Sequence, residues 1–256
     1  MKKSAAILIV LGVALLIFGF SLPPYMKGQA RTLPTDLDLT VVKESPQGFT
    51  LTNHLLTSPT EEVDEIALQV ERVLTDQSGE IVSEEIDEVT LIGHSRFPAV
   101  GTDTTDSDQL NHEGLHYFFP ANALRNSYQY FDLILEDSEP VDYLSREGDV
   151  YTFYQNRRFE PMDENTHYSV ERTLKVDRHS GIILDKHELM TFHDSATERQ
   201  LEFSYTEESR ELLQSHVDDI TSTLETSNII DFFSKFLGLL LLGVGVFQTG
   251  IFRTRR

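Results

Sequence analysis

The sequence predicts an α+β protein: a mainly antiparallel β domain, built as a curved sheet or half-barrel, with a C-terminal helix and a transmembrane helix at each end. Three observations predict it. Two long apolar runs lie at opposite ends of the 256-residue chain. Between them apolar and polar residues alternate with a period of two, and near residue 207 the period becomes that of a helix.

Residues 5–22 contain no charged side chain, and at ~1.5 Å rise per residue they span roughly 27 Å, close to the hydrocarbon thickness of a bilayer. Residues 229–252 form the second run. Its two charges, Asp231 and Lys235, fall in the first two turns, where a lysine snorkels to the headgroups. A helix satisfies its own backbone hydrogen bonds and is the natural state of either run in lipid. Lys2 and Lys3 precede the first run, and Arg253, Arg255 and Arg256 follow the second. The positive-inside rule then puts the tails at 1–4 and 253–256 in the cytoplasm and the intervening domain outside the cytoplasmic membrane. The rival reading of the first run is a cleaved signal peptide, with Gly28-Gln29-Ala30 as a small-x-small site before Arg31. The run is longer than the ~7–15 apolar residues of such a segment, which favours a retained anchor.

Charge and composition exclude several functions. The chain carries a net −21, and the segment between the runs about −25, which repels phosphate backbones and argues against nucleic-acid binding. There are no cysteines. Thiol catalysis, iron–sulfur clusters and cysteine-ligated zinc are therefore excluded, and at this size a hydrophobic core suffices without disulfides.

Pro23-Pro24 is expected to end the first helix, because proline lacks the amide donor and clashes with the preceding turn. Residues 23–33 then read as a linker. Residues 34–206 form the β-rich domain. Ile66, Leu68, Val70, Arg72 and Leu74 make one inward row, and Tyr128, Tyr130, Val170, Leu174, Leu201, Phe203 and Tyr205 belong to others. VERVLTDQSGEIVSEE from Val70 and VERTLKVDRHSGIILDKHE from Val170 each read as a strand, an aspartate-capped glycine turn and a return strand. They are two ordinary hairpins or a duplicated unit. Residues 207–228 are expected to form an amphipathic helix, with Leu213, Val217, Ile220 and Leu224 on one face, and a short linker through Thr226-Ser227-Asn228.

His112-Glu113-Gly114-Leu115-His116 matches H-E-x-x-H, the zinc-protease pattern that needs two imidazoles on one helical face and a glutamate base. Gly114 inside the motif and the strand-like Tyr117-Phe118-Phe119-Pro120 after it argue against the helix. A zinc-dependent hydrolase on His112, Glu113 and His116 is the enzymatic alternative; the preferred expectation is no catalytic residue, no metal and no cofactor. Asp103, Asp106 and Asp108 lack EF-hand spacing and read as a solvated loop. Tyr117, Phe119, Tyr128, Tyr130, Phe131, Tyr151 and Phe153 belong to a dense aromatic stretch. Core packing is its plain explanation; the functional one is a groove for an acyl chain or polyprenyl tail.

The layout resembles an actinobacterial envelope family catalogued as domain of unknown function 3068 and labelled a porin PorA family. The resemblance rests on the paired terminal anchors, on HEGLHYFFPANALRNSYQYFD from His112, and on VDRHSGIILDKHE from Val176. At the position of His116 the family does not usually carry histidine. The resemblance implies a role in maturation of envelope lipoglycans. The expected function is a non-enzymatic, membrane-anchored accessory protein of envelope assembly. Its partners would be the cytoplasmic membrane, a lipid or lipid-linked glycan, or the membrane glycosyltransferases it scaffolds. The alternatives are the zinc hydrolase and an envelope sensor or partner-binding module.

Overall fold

The computed structural model describes residues 3–99, 112–163, 165–194 and 197–249. The chain divides into a helical unit, residues 1–31 and 219–256, and a β unit, residues 32–218.

The β unit is an open, all-antiparallel sheet of ten strands. In chain order they are β1 (Asp38–Glu44), β2 (Thr50–Pro59), β3 (Glu65–Thr75), β4 (Ile81–Ile92), β5 (Tyr128–Asp132), β6 (Asp137–Glu147), β7 (Val150–Pro161), β8 (His167–Asp177), β9 (Ile183–His193) and β10 (Glu198–Tyr205). Sheet order is β4-β3-β2-β1-β10-β9-β8-β7-β6-β5. Two meanders, β1–β4 and β5–β10, therefore meet where β1 lies beside β10. That seam is short, with only Lys43 opposite Tyr205 and Glu44 opposite Ser204.

Period-two patterning accounts for the strands. Leu39, Val41 and Lys43 point inward from β1, and Tyr168, Val170, Arg172, Leu174 and Val176 from β8, while the residues between them are more exposed. In the expected row Ile66, Leu68 and Val70 are buried, with Arg72 and Leu74 half-buried. Both expected hairpins form. Asp76 Oδ1 accepts from the Ser78 and Glu80 amides, and Asp177 Oδ1 from the Ser180 amide. Gly181 closes the second turn at φ +72°, with Phe119 O so near that a Cβ would lie 2.1 Å from it. The hairpins are not equivalent in the sheet: the chain runs away from the seam in β3–β4 and toward it in β8–β9.

Residues 112–127 form a strap between the sheet edges. Leu115 pairs with β5, donating to Gln129 O (2.9 Å) and accepting from Phe131 N (2.8 Å). His112 and Tyr117 both reach Asp87 on β4. One short segment thus touches both edge strands, so the sheet curves toward closure. Further on, Phe119 N donates to Gly181 O and Ala123 N to Arg178 O, fastening the strap over the β8–β9 turn.

Helix α1 (Lys3–Arg31) does not stop at Pro23-Pro24, as the sequence led us to expect; both prolines lie inside it. A proline interrupts an interior helix unless neighbouring groups meet the backbone's needs. Here the turn is held from outside: Ser227 Oγ donates to Pro23 O at 2.9 Å with both residues buried, although the carbonyls that the prolines leave without an amide are those of Gly19 and Phe20. Helix α2 (Glu207–Thr249) is likewise continuous through Thr226-Ser227-Asn228, where a linker was expected. No proline or glycine occurs in it before Gly238, so nothing in that stretch forces a break. Its N-cap is Thr206, whose Oγ1 accepts from Ser209 N, and Glu207 and Glu208 occupy the positive end of the dipole. Ser209 Oγ in turn accepts from Val42 N (2.8 Å), tying the helix start to β1.

Within the helical unit the two helices touch through glycines. A Cβ on Gly12 would lie 2.8 Å from Gly238 O, and one on Gly245 would lie 2.7 Å from Ile9. Small residues permit this close backbone approach in lipid, where dispersion rather than the hydrophobic effect joins helices. Both helices are long and apolar enough to cross a membrane. Phe20, Phe232, Phe233, Phe236, Leu239 and Phe247 are exposed in the isolated chain. A soluble protein's core helix would bury such side chains; a lipid-spanning one presents them outward.

Candidate functional site

The H-E-x-x-H segment is not helical. Residues 112–116 run as irregular extended chain, and Leu115 forms a bridge with Tyr130. His112 Nε2 lies 2.8 Å from Asp87 Oδ1, His116 Nδ1 bonds Phe131 O at 2.7 Å, and Glu113 is exposed. The shared helical face that zinc chemistry requires is therefore missing. Gly114 is present for backbone contact, since a Cβ there would lie 2.8 Å from both Gln129 O and Ser138 Oγ. Burial pushes the His116 imidazole well below its ordinary pKa and keeps it neutral. Among the described residues no three metal-binding side chains converge. The Asp103, Asp106 and Asp108 cluster lies outside the described residues.

The aromatic candidates pack together. Phe119, Tyr130, Tyr151 and Phe153 form a core cluster with Leu115, Val141, Leu174 and Val176, and Tyr128 packs against its side. The Phe119 and Phe153 rings stack with centroids 4.7 Å apart. Phe131 is buried against His112 (4.3 Å), and the half-buried Tyr117 donates its hydroxyl to Asp87. Burial alone would raise Asp87, but the hydrogen bonds from His112 and Tyr117 outweigh it and hold the carboxyl below its usual range.

None of these seven aromatics lines the cavity beside the β1–β10 seam. That space, about 190 Å³, opens on the inner face of the sheet and straddles the seam. Lys43, Leu51, Asn53, Arg72 and Leu74 line it from the first meander; Asp132, Tyr168, Arg172, Lys186, Glu188, Met190, Phe192, Leu201 and Phe203 line it from the second. The floor is a buried charge network. Glu188 Oε2 bonds Lys43 Nζ at 3.0 Å, while its Oε1 lies 3.0 Å from Lys186 Nζ and 3.3 Å from Arg172 Nε. Arg172 also donates to Asp132 Oδ2 (2.6 Å) and Gln155 Oε1 (2.7 Å), and Lys186 donates to Tyr130 OH (2.8 Å).

Burial would raise Glu188, but Lys186, Lys43 and Arg172 overcome it and leave the carboxyl well below its ordinary range. Burial lowers Lys186, and it lowers Lys43 to about 7 despite the pull of Glu188. The cavity therefore joins a charged floor to walls of leucine, methionine and phenylalanine.

The floor residues were not singled out from the sequence, although a signal exists. Lys43 shares inward parity with Leu39 and Val41, and Arg172 with Val170 and Leu174. A charge on the buried row of a strand must be paired or put to use.

A Porin PorA of Corynebacterium resistens is 27% identical over 215 aligned residues, covering 60% of this chain and 52% of that protein. The chain thus spans about half the length of that relative. A solved structure of a provisional AttH from Nitrosomonas europaea aligns with 65% of this chain and 47% of its own at 9% identity and a TM-score of 0.21, too low to bear on the fold. The family profile described as Porin PorA matches residues 4–247. With that match running from the first helix through the sheet to the second, the chain belongs to the Porin PorA family.

Proposed function

We propose that this cell-envelope membrane protein is a non-enzymatic accessory of envelope assembly. Its β unit would stand outside the cytoplasmic membrane and take the hydrophobic end of a lipid or lipid-linked glycan, or hold such a molecule for membrane glycosyltransferases. The observation that carries the reading is the cavity, with its charged floor and apolar walls, in a chain that also has two helices long and apolar enough to cross a membrane. A channel is less well supported. The interior of the sheet holds Phe119, Tyr130 and Phe153, and Glu71, Glu84, Glu88 and Glu171 are exposed on its strands, where a lipid-facing barrel needs an apolar band. The resemblance to domain of unknown function 3068 extends the proposal to actinobacterial lipoglycan maturation. Lipids extracted from the purified full-length protein and identified by mass spectrometry should include one stoichiometric amphiphile; protein free of bound lipid would overturn the reading.

The orientation belongs to the same proposal. It rests on the five basic residues flanking the runs, which favour cytoplasmic termini. The absence of native cysteine makes single-cysteine labelling clean. Ser78→Cys, in the exposed β3–β4 turn, should react with a membrane-impermeant maleimide in intact protoplasts, and Ser4→Cys only after permeabilisation. The reverse pattern would refute the orientation. An envelope sensor is the second reading, favoured by the unbroken course of α2 from the end of β10 into the apolar run.

A further inference from the structure

The floor of the cavity has more cation than its own carboxylates can neutralise. Lys43, Lys186 and Arg172 are buried, and among the described residues two carboxylates, Glu188 and Asp132, lie at hydrogen-bonding distance. Arg72 and Glu85 also line the cavity and neutralise each other at 3.0 Å. With all three cations protonated, one buried positive charge is left over. In a chain of net −21 this is the opposite of the average surface, and buried cations that must share a counter-charge are costly unless another anion joins them. Burial is the main cause of the lowering of Lys43 to about 7, and repulsion from Lys186 and Arg72 adds to it.

Hydrogen-bonding capacity is left over as well. Among the described residues Tyr168 OH and Asn53 Oδ1 are buried without a partner, and Arg172 Nε, though at ion-pair distance from Glu188, makes no hydrogen bond. All three residues line the cavity, and Tyr168 is fully buried; Tyr168 OH and Arg172 Nε are donors, whereas Asn53 Oδ1 only accepts and offers an anion nothing. Buried polar groups left open in this way are rare in folded proteins. Lys43 adds an ammonium with three donors, one of them used by Glu188. Donors from β1 and β8 thus converge on one space, with the surplus positive charge beside them.

We propose that this floor is an anion site for the carboxylate or phosphate head of a single-chain amphiphile, bound head inward, with its chain leaving along Leu51, Leu74, Met190, Phe192, Leu201 and Phe203. The inference rests on the amphiphile reading above and adds the sign of the head and its direction. A singly charged oxyanion neutralises the surplus cation and accepts from Tyr168 OH and Arg172 Nε. Each water's share of liquid volume is about 30 Å³, so the space holds a phosphate-sized head and several methylenes.

The test uses the full-length protein in phosphatidylcholine nanodiscs, titrated calorimetrically with octyl phosphate, octanoate and octanol against empty nanodiscs. Octyl phosphate or octanoate should bind at least about tenfold more tightly than octanol. The stronger of the two anions tells a lipid phosphate from a fatty acid. Lys43→Met leaves Glu188 its contacts with Lys186 and Arg172, and Tyr168→Phe removes a hydroxyl that has no partner. Both variants should fold, and each should lose about tenfold in anion affinity. Lys43→Arg should restore most of it. Octanol binding as tightly as the anions, or wild-type anion affinity in both variants, would overturn the anion site and leave the amphiphile reading standing. Failure of all three probes, with no lipid in the extract, would remove both.

Discussion

Arg172→Leu should destabilise the β unit by about 3–5 kcal/mol, the cost of breaking a buried ion pair from one side. The guanidinium faces Asp132, Glu188 and Gln155 and is 3% exposed, so leucine leaves the buried Asp132 without its cation and Glu188 held by Lys43 and Lys186 alone. Arg172→Lys keeps the charge but loses the planar fork that spans Asp132 and Gln155, and should fall between. Near-UV circular dichroism follows the unfolding selectively, because every tyrosine except Tyr25 lies in residues 32–218. A leucine variant as stable as the parent would mean that the network does not form. The pH dependence has a definite sign. Because the folded-state pKa of Glu188 is depressed, its contribution is in place above the ordinary carboxylate range and is lost as pH falls below it. With one of its three cations removed, the variant should lose less stability on the acid side.

Phe153→Ala carries the second large effect, about 3–5 kcal/mol, as expected for truncating a fully buried aromatic. Phe153 is 0% exposed and stacks on Phe119, so alanine leaves a hole bounded by the rings of Phe119 on the strap, Tyr128 on β5 and Tyr143 on β6. The same substitution in the wall of an open groove would cost little. Leu144→Ala, on the exposed side of β6, supplies the comparison and should stay within about 0.5 kcal/mol of the parent. Equal effects at the two positions would return the aromatic stretch to the role of a ligand groove.

How much could be read from the chain follows from the kind of signal each feature leaves. Period-two rows and aspartate–glycine turns are local, so the β class and both hairpins were legible from Val70–Leu74 and Val170–Leu174. The apolar runs were legible for the same reason. Helix ends were not. Pro23-Pro24 is a strong stop signal in isolation, but its carbonyl meets Ser227, 204 positions away, which no local reading supplies. The aromatic stretch has one composition whether it fills a core or lines a groove. Only the strap's crossing from β5 to the β8–β9 turn decides that Phe119 lies on Phe153. The charged floor is assembled from β1, β5, β8 and β9. Its members were visible one at a time as charges on inward rows, while their convergence is a property of strand order.

The short seam between β1 and β10 has an entropic consequence. Lys43 and Glu188 are 145 residues apart in sequence, whereas a hairpin turn closes a loop of about five. Loop closure scales with the logarithm of length, so joining the first strand to the last costs the unfolded chain about 3 kcal/mol more than closing a turn. Two ladder pairs are slender compensation. The deficit falls on the contacts beside them, where Thr206 N bonds Val42 O, Val42 N bonds Ser209 Oγ, and Lys43 meets Glu188. The ion pair on the cavity floor is in that sense also the clasp of a large ring, and an anion bound beside it would tighten the clasp from within.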